Sequence, residues 1–407
     1  MGRSFWRLWT SSGLSNLADG ILKIALPLVA IRYTQSPTAI AGLAFALSLP
    51  WLLFALPAGA LADRLDRRGA MLGANLVRST LLGTLALAVA LNTGSLGLLY
   101  LAAFCIGAAE TIYDTSAQSI LPKIVGREQL SRANGRLYAA ELTANQFIGP
   151  PLGGLLVAAG AVAALITPAA LWIAAASALL LVRGRFRIGR DARTTLRADI
   201  SEGLRFLWRV HVLRILALLT GVFNFAINAT FAVFVLYAAG PSSAMGLTDP
   251  AYGLLLTTAA AGSLVGSFLA AGVERRLGRT RSLLLTVLGS SLIVGTPALT
   301  SNPILVGAAF FVGGATIVMW NVVTVSLRQR ITPDRLLGRV NSAYRLLAWG
   351  TMPLGAAAGG VLAQLLGLRA VFAIMAVVTL LMLVVLRRLN DRAIDDAEHA
   401  THSGNSG

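Results

Sequence analysis

Apolar stretches long enough to cross a bilayer follow one another almost without a break, and no other feature so narrows what this chain can fold into. About twenty consecutive apolar residues make one spanning helix. Runs of that order occupy roughly 9–33, 38–62, 69–91, 95–121, 132–159 and 161–183, then 209–239, 250–273, 279–300, 303–327, 336–366 and 369–387. Lipid offers the backbone no water, so each run must pair its own N–H and C=O groups. Runs this long, without strict polar/apolar alternation, do so as helices. The expectation is an all-α membrane protein with twelve transmembrane helices. Only 13% of the 407 residues are charged and 56% are hydrophobic, which excludes an ordinary soluble globule.

The breaks between runs carry most of the charge. On one side they hold only Arg32 and Arg369, while Lys23, Arg78, Arg136, Arg214 and Arg345 fall inside runs; the rest of the 34 basic residues lie on the other side. Such asymmetry sets orientation through the positive-inside rule, so both termini are expected in the cytoplasm. The net charge of +17 is then topology rather than a nucleic-acid footprint. No cleavable signal is evident, since the first run is long and contains Asp19 and Lys23. The domains read as a six-helix bundle at 1–183, a cytoplasmic linker at 184–208, a second six-helix bundle at 209–388 and a polar cytoplasmic tail at 389–407. In the linker Leu196, Ile200, Leu204 and Leu207 recur at helical spacing among arginines, which predicts an amphipathic helix on the membrane surface.

Several chemistries lack their residues. The lysines are Lys23 and Lys123, neither behind a phosphate-cradling glycine loop, so no ATP-driven motor is expected within the chain. One cysteine, Cys105, excludes an intramolecular disulfide, and His211, His399 and His402 are not clustered as zinc or nucleophilic catalysis requires. We therefore expect no metal, no cofactor and no enzyme.

The halves repeat. An offset of 207 residues lays Gly107 on Gly314, Ser119 on Ser326, Ile124 on Ile331, Arg132 on Arg339, Asn134 on Asn341, Gly153 on Gly360 and Leu155 on Leu362. The repeat predicts two pseudo-symmetric six-helix bundles that rock to give alternating access.

Ionisable residues at membrane depth are costly and mark function. The acids there are Asp19, Glu110, Asp114 and Glu141, all candidates for carrying a proton. Asp19 shares a helix face with Lys23, four residues on, which can neutralise it; Glu110 and Asp114 are like charges on one face, a place for an exchangeable proton. Asn16, Gln146, Asn224, Phe225, Asn228, Trp320 and Asn321 are candidates for lining an apolar substrate chamber with sparse polar contacts.

The second break reads Gly59-Ala-Leu-Ala-Asp63-Arg64-Leu65-Asp66-Arg67-Arg68, and here the chain resembles the major facilitator superfamily, whose GxxxDRxxRR loop joins helices 2 and 3. A second copy, around Gly272 to Arg279, is out of register by one residue. The segment Gly149-Pro150-Pro151-Leu152-Gly153-Gly154 resembles the family's antiporter motif, with Asn145 and Ala140 where the motif's upstream glycines belong. Glu202 to Trp208 and Leu337 to Ser342 are similar to the branch containing macrolide-efflux and enterobactin-export proteins.

The resemblance implies a secondary transporter in the inner (cytoplasmic) membrane, working as a monomer, that exports amphipathic small molecules such as macrolides against protons. It gives Gly59, Asp63, Arg64, Arg67 and Arg68 a gating role, with Asp63 beneath Leu337 to Ser342 and within reach of Arg339. The arginine that many drug antiporters carry in helix 4 is absent, Gly107 standing near its place, so coupling through it does not transfer. An exporter dedicated to an endogenous metabolite such as a siderophore, an importer, and a non-transporting scaffold or receptor are the alternatives.

Overall fold

The computed structural model describes residues 1–64, 66–182, 196–387 and 389, and for some of these, 55–64 included, the backbone alone. Among them the chain is helical with no named strand. The first six runs form α1 (Arg3–Ala30), α2 (Pro37–Arg64), α3 (Arg67–Ala90), α4 (Leu96–Ile124), a fifth span in pieces, α5 (Leu130–Glu141), a π-helical segment (Leu142–Ile148) and α6 (Gly149–Ala159), and then α7 (Ala161–Leu180). The linker supplies α8 (Leu196–Arg209). The remaining runs form α9 (His211–Ala238), α10 (Asp249–Leu277), α11 (Arg279–Leu299), α12 (Pro303–Ile331), α13 (Asp334–Trp349), α14 (Thr351–Leu366) and α15 (Leu368–Leu386).

Eleven stretches among the described residues are long and apolar enough to cross a membrane. The fifth run is not among them, because the π segment divides what the sequence predicts as a single helix. Prolines are the cause. Pro150 and Pro151 have no N–H to give to the carbonyls one turn back, so the preceding turn widens and Gly149 N–H reaches Ala144 O, five residues away. The eleventh run is likewise two helices, α13 and α14, meeting at Gly350.

Caps mark several helix starts. Asp66 accepts from Gly69 N–H at 2.9 Å, Ser95 from Leu98 N–H at 3.3 Å, and Asn302 from Ile304 N–H at 2.9 Å just before Pro303. Gly278 and Gly367, at φ of 78° and 85°, make the tight turns before α11 and α15, a conformation that costs glycine little.

The chain divides into two compact units, the first comprising Met1–Asp191 with Val235–Thr257, the second Ala192–Phe234 with Thr258–Gly407. In the first, α1 and α3 pack on α7 and α2 packs on α4; buried hydroxyls bridge the helices, Ser11 donating to Ala175 O and Ser79 to Ala169 O, each at 2.8 Å. In the second, α11 packs on α12 and α15, and α8 packs on α13. The amphipathic helix thus exists, but its apolar face is not simply laid on lipid. Leu207 is buried in the core of this unit with Val340 and Leu336, and Gly203 lets α8 rest on the Arg339 carbonyl.

Candidate functional site

A buried arginine organises the first unit. Arg78, on α3, has no exposed surface. Its guanidinium meets Asp19 Oδ1 on α1 at 2.9 Å, donates to Ser15 Oγ at 3.0 Å and to Asn75 Oδ1, and lies 4.8 Å from the ring centres of both Tyr113 on α4 and Trp172 on α7. Four helices converge on one cation. An unpaired charge here would be severely destabilising, and the carboxylate, two polar acceptors and two ring faces offset that cost.

The predicted acids gather round this centre. Glu110 and Asp114 flank Tyr113 on α4, and Glu110 lies in electrostatic reach of Asp19, Asp114, Arg78 and Lys23. Glu141, exposed on the last residue of α5, is also within reach of Asp19. The expected neutralisation of Asp19 by Lys23 is not what the structure shows. Ser15 and Asp19 turn toward Arg78, whereas Lys23, one turn on, is exposed and has Glu110 as its electrostatic neighbour. Arg78 was legible: a basic residue inside an apolar run is as costly as an acid. Tyr113 and Trp172 carry no such signal, because aromatic residues in spanning helices are common. Close packing of α2 on Gly107, where a side chain would collide with the Leu47 carbonyl, leaves no room for an arginine on that face of α4; the guanidinium comes from α3 instead.

The loop residues resolve differently. Gly59, Asp63 and Arg64 lie at the end of α2, but their side chains fall outside the described residues. Arg67 is buried, and Arg68 donates to Leu179 O at 3.0 Å and Leu180 O at 2.8 Å, capping the carbonyl end of α7 within the same bundle. Arg339 is hydrogen-bonded to Glu202 of α8. Asp66, overlooked in the motif, is the cap of α3.

Of the antiporter motif, Gly149 and Gly153 bring the fifth span onto Gly20 and Ile21 of α1, while Gly154 packs on the Asp249 carbonyl and the Pro150 carbonyl abuts Gly253 at the start of α10. Arg32 approaches Asp249 at 3.8 Å beside this crossing.

In the second unit a cleft of about 410 Å³, counting its open mouth, is lined by Thr220, Phe223, Asn224, Ser290, Trp320 and Asn321 with several apolar neighbours. Trp320 Nε1–H donates to Thr220 Oγ1 at 3.0 Å, which also bonds Tyr344 Oη at 2.6 Å, and Asn224 donates to Ala348 O at 2.7 Å. Behind it Arg328 stacks 4.0 Å from the Tyr344 ring centre and donates to Asn341 at 2.7 Å. Three predicted lining residues, Asn224, Trp320 and Asn321, therefore meet. Phe225 and Asn228 are not in the lining: the Phe225 backbone seats Gly355, and Asn228 bonds Asn224 O at 2.8 Å. Asn16 donates back to Ser12 O at 2.9 Å, and Gln146 is exposed in the π segment. The repeat shows where the halves diverge: Tyr113, Asp114 and Glu110 correspond to Trp320, Asn321 and Ile317, so the second unit keeps the ring and loses both charges.

The profile of one family, described as transmembrane secretion effector, matches residues 2–405. The multidrug efflux pump Tap of Mycolicibacterium fortuitum is 27% identical over 384 residues, covering 90% of this chain and 91% of that protein. The enterobactin exporter EntS of Salmonella typhimurium is 27% identical over 347 residues, covering 84% and 81%. Among solved structures the nucleoside transporter NupG superposes with a TM-score of 0.76 over 95% of this chain and 99% of that one, at 12% identity, a likeness of fold alone.

Proposed function

The chain belongs to the transmembrane secretion effector family, within the major facilitator superfamily, and on that premise we propose that it is a secondary transporter expelling amphipathic small molecules from the cytoplasm in exchange for protons. The observation that carries this reading is the Asp19–Arg78 pair set among Glu110, Asp114 and Glu141 at membrane depth. A purely structural bundle gains nothing from several acids round a buried cation; a proton carrier needs them.

The chemistry follows from the charges. Arg78 serves as the fixed cation of the site. A proton arriving on Asp19 removes the charge that holds Arg78, and the guanidinium then depends on Ser15, Asn75 and the two rings. Because Arg78 Nε and Asn75 Nδ2 have no partner among the described residues, this network is incompletely satisfied and rearranges at lower cost than a closed one. The neutral cleft of the second unit offers part of an amphipathic molecule ring faces and sparse amides rather than a fixed charge pattern. Both termini are cytoplasmic and no ATP is consumed. Drugs such as macrolides fit this description, and names among the relatives support export over import.

The test is substrate-driven proton movement in proteoliposomes carrying a pH dye inside. Wild type should move protons when a transported drug is added, and Asp114→Asn, which keeps size and hydrogen bonding without an exchangeable proton, should lose most of that signal while still binding drug. Undiminished proton flux in Asp114→Asn removes that residue from the mechanism; no drug-driven flux in wild type removes the antiport.

A further inference from the structure

Building on the efflux reading, we propose that the main-chain carbonyl of Gln146, in the π segment, is a binding group for hydrogen-bond donors on the transported molecule. In an α-helix the carbonyl of residue 146 would take the N–H of residue 150, and in a π-helix that of residue 151. Both are prolines, and the remaining 3-10 donor, Gly149 N–H, is given to Ala144 O, so no helical register supplies a donor. Asn145 is close to the same state: its π donor would be Pro150, and its α donor, Gly149 N–H, is given to Ala144 O. No other hydrogen bond reaches the Gln146 carbonyl among the described residues.

Such an acceptor is costly to bury in lipid, yet it lies in the middle of the fifth span. Gln146 is exposed, as is Glu141 one wide turn before it, and an amide and a carboxylate at that depth face a wet space rather than hydrocarbon. Water satisfies the carbonyl until a ligand donor displaces it. The segment is also held in place. Gly20 of α1 sits so close to Asn145 that any side chain there would overlap the Asn145 backbone, so the acceptor is pre-organised rather than loose. The antiporter motif thereby acquires a chemical role: its prolines remove donors as well as bending the helix.

The consequence is a preference for lipophilic cations that bear N–H groups over cations of equal charge that bear none. Ethidium, with two aromatic amines, and tetraphenylphosphonium, with no donor, form such a pair. The experiment compares their affinities for the purified full-length chain in lipid nanodiscs, wild type against Pro150→Ala, whose N–H reaches the Gln146 carbonyl in the α register, and against Pro151→Ala, whose N–H reaches it in the π register. Ethidium should weaken roughly three- to tenfold, as for one lost hydrogen bond, with tetraphenylphosphonium unchanged as the internal check on folding. If Pro150→Ala does not fold, Pro150→Gly restores the same donor. Equal weakening of both probes, or unaltered ethidium binding in a folded variant, overturns the carbonyl site and leaves the efflux reading intact. Absence of binding of either cation to wild type overturns both.

Discussion

Arg78 and Asp19 settle what kind of chemistry the first unit can hold, because a guanidinium with no exposed surface cannot remain without a counter-charge. The pair predicts a non-additive pattern. Asp19→Asn strands the cation and should cost about 3–5 kcal/mol, lowering the melting temperature sharply. Adding Arg78→Gln removes the stranded charge, so the double variant should recover much of the lost stability while drug-driven proton flux stays absent in both. Thermal unfolding in detergent reads the first part; a double variant no more stable than Asp19→Asn alone would show that the two residues are not energetically coupled. Arg78→Lys is a harsher change than it looks, since an ammonium reproduces neither the fork toward Ser15 and Asn75 nor the planar face between Tyr113 and Trp172.

At the scale of elements, the fifth span shows how one short motif sets two crossings. Gly149 and Gly153 face α1, and Gly154 faces the start of α10, so neither contact tolerates a side chain without moving backbone. Gly154→Leu should push the Asp249 end of α10 away and part it from Arg32, at a cost of about 1–3 kcal/mol for overpacking. With Cys105 replaced by serine and a single cysteine placed at Thr248, that separation reads as faster labelling by a membrane-impermeant maleimide. Labelling at the parent rate would mean that Gly154 does not hold this crossing closed. The motif was visible as residues in a row, whereas the π segment was not, since a missing donor at Pro150 and Pro151 is compatible with a kink, a break or a widened turn. Packing of Gly20 against Asn145 selects among them. Helix α8 carries the same lesson: its amphipathic spacing was plain, but Leu207 and Glu202 turn to α13 because Gly203 permits the approach.

For the molecule as a whole, the charge distribution predicts orientation and the repeat predicts division of labour. Epitope tags at either terminus should resist protease added outside intact cells and be cleaved once the membrane is permeabilised; digestion in intact cells would invert the threading. Replacement of Glu110 and Asp114 by Ile317 and Asn321 at the matching positions leaves the paired acids in one half and a neutral cleft in the other. Substitutions at Asn321 should therefore alter which drugs are carried more than they alter proton movement.

The helical runs and the repeat between the halves are legible in the sequence itself, because hydropathy and periodicity act on each segment separately. The identity of the acids was equally open to reading, since a carboxylate within an apolar run is conspicuous wherever it later points. What the tertiary structure alone decided is which charges meet. Asp19 finds Arg78 across 59 positions rather than Lys23 across one turn, and Arg339 finds Glu202 across 137. Those pairings depend on how each helix is rotated about its own axis and on how closely glycines let neighbouring helices approach. Neither quantity is local to the segment that carries the residue.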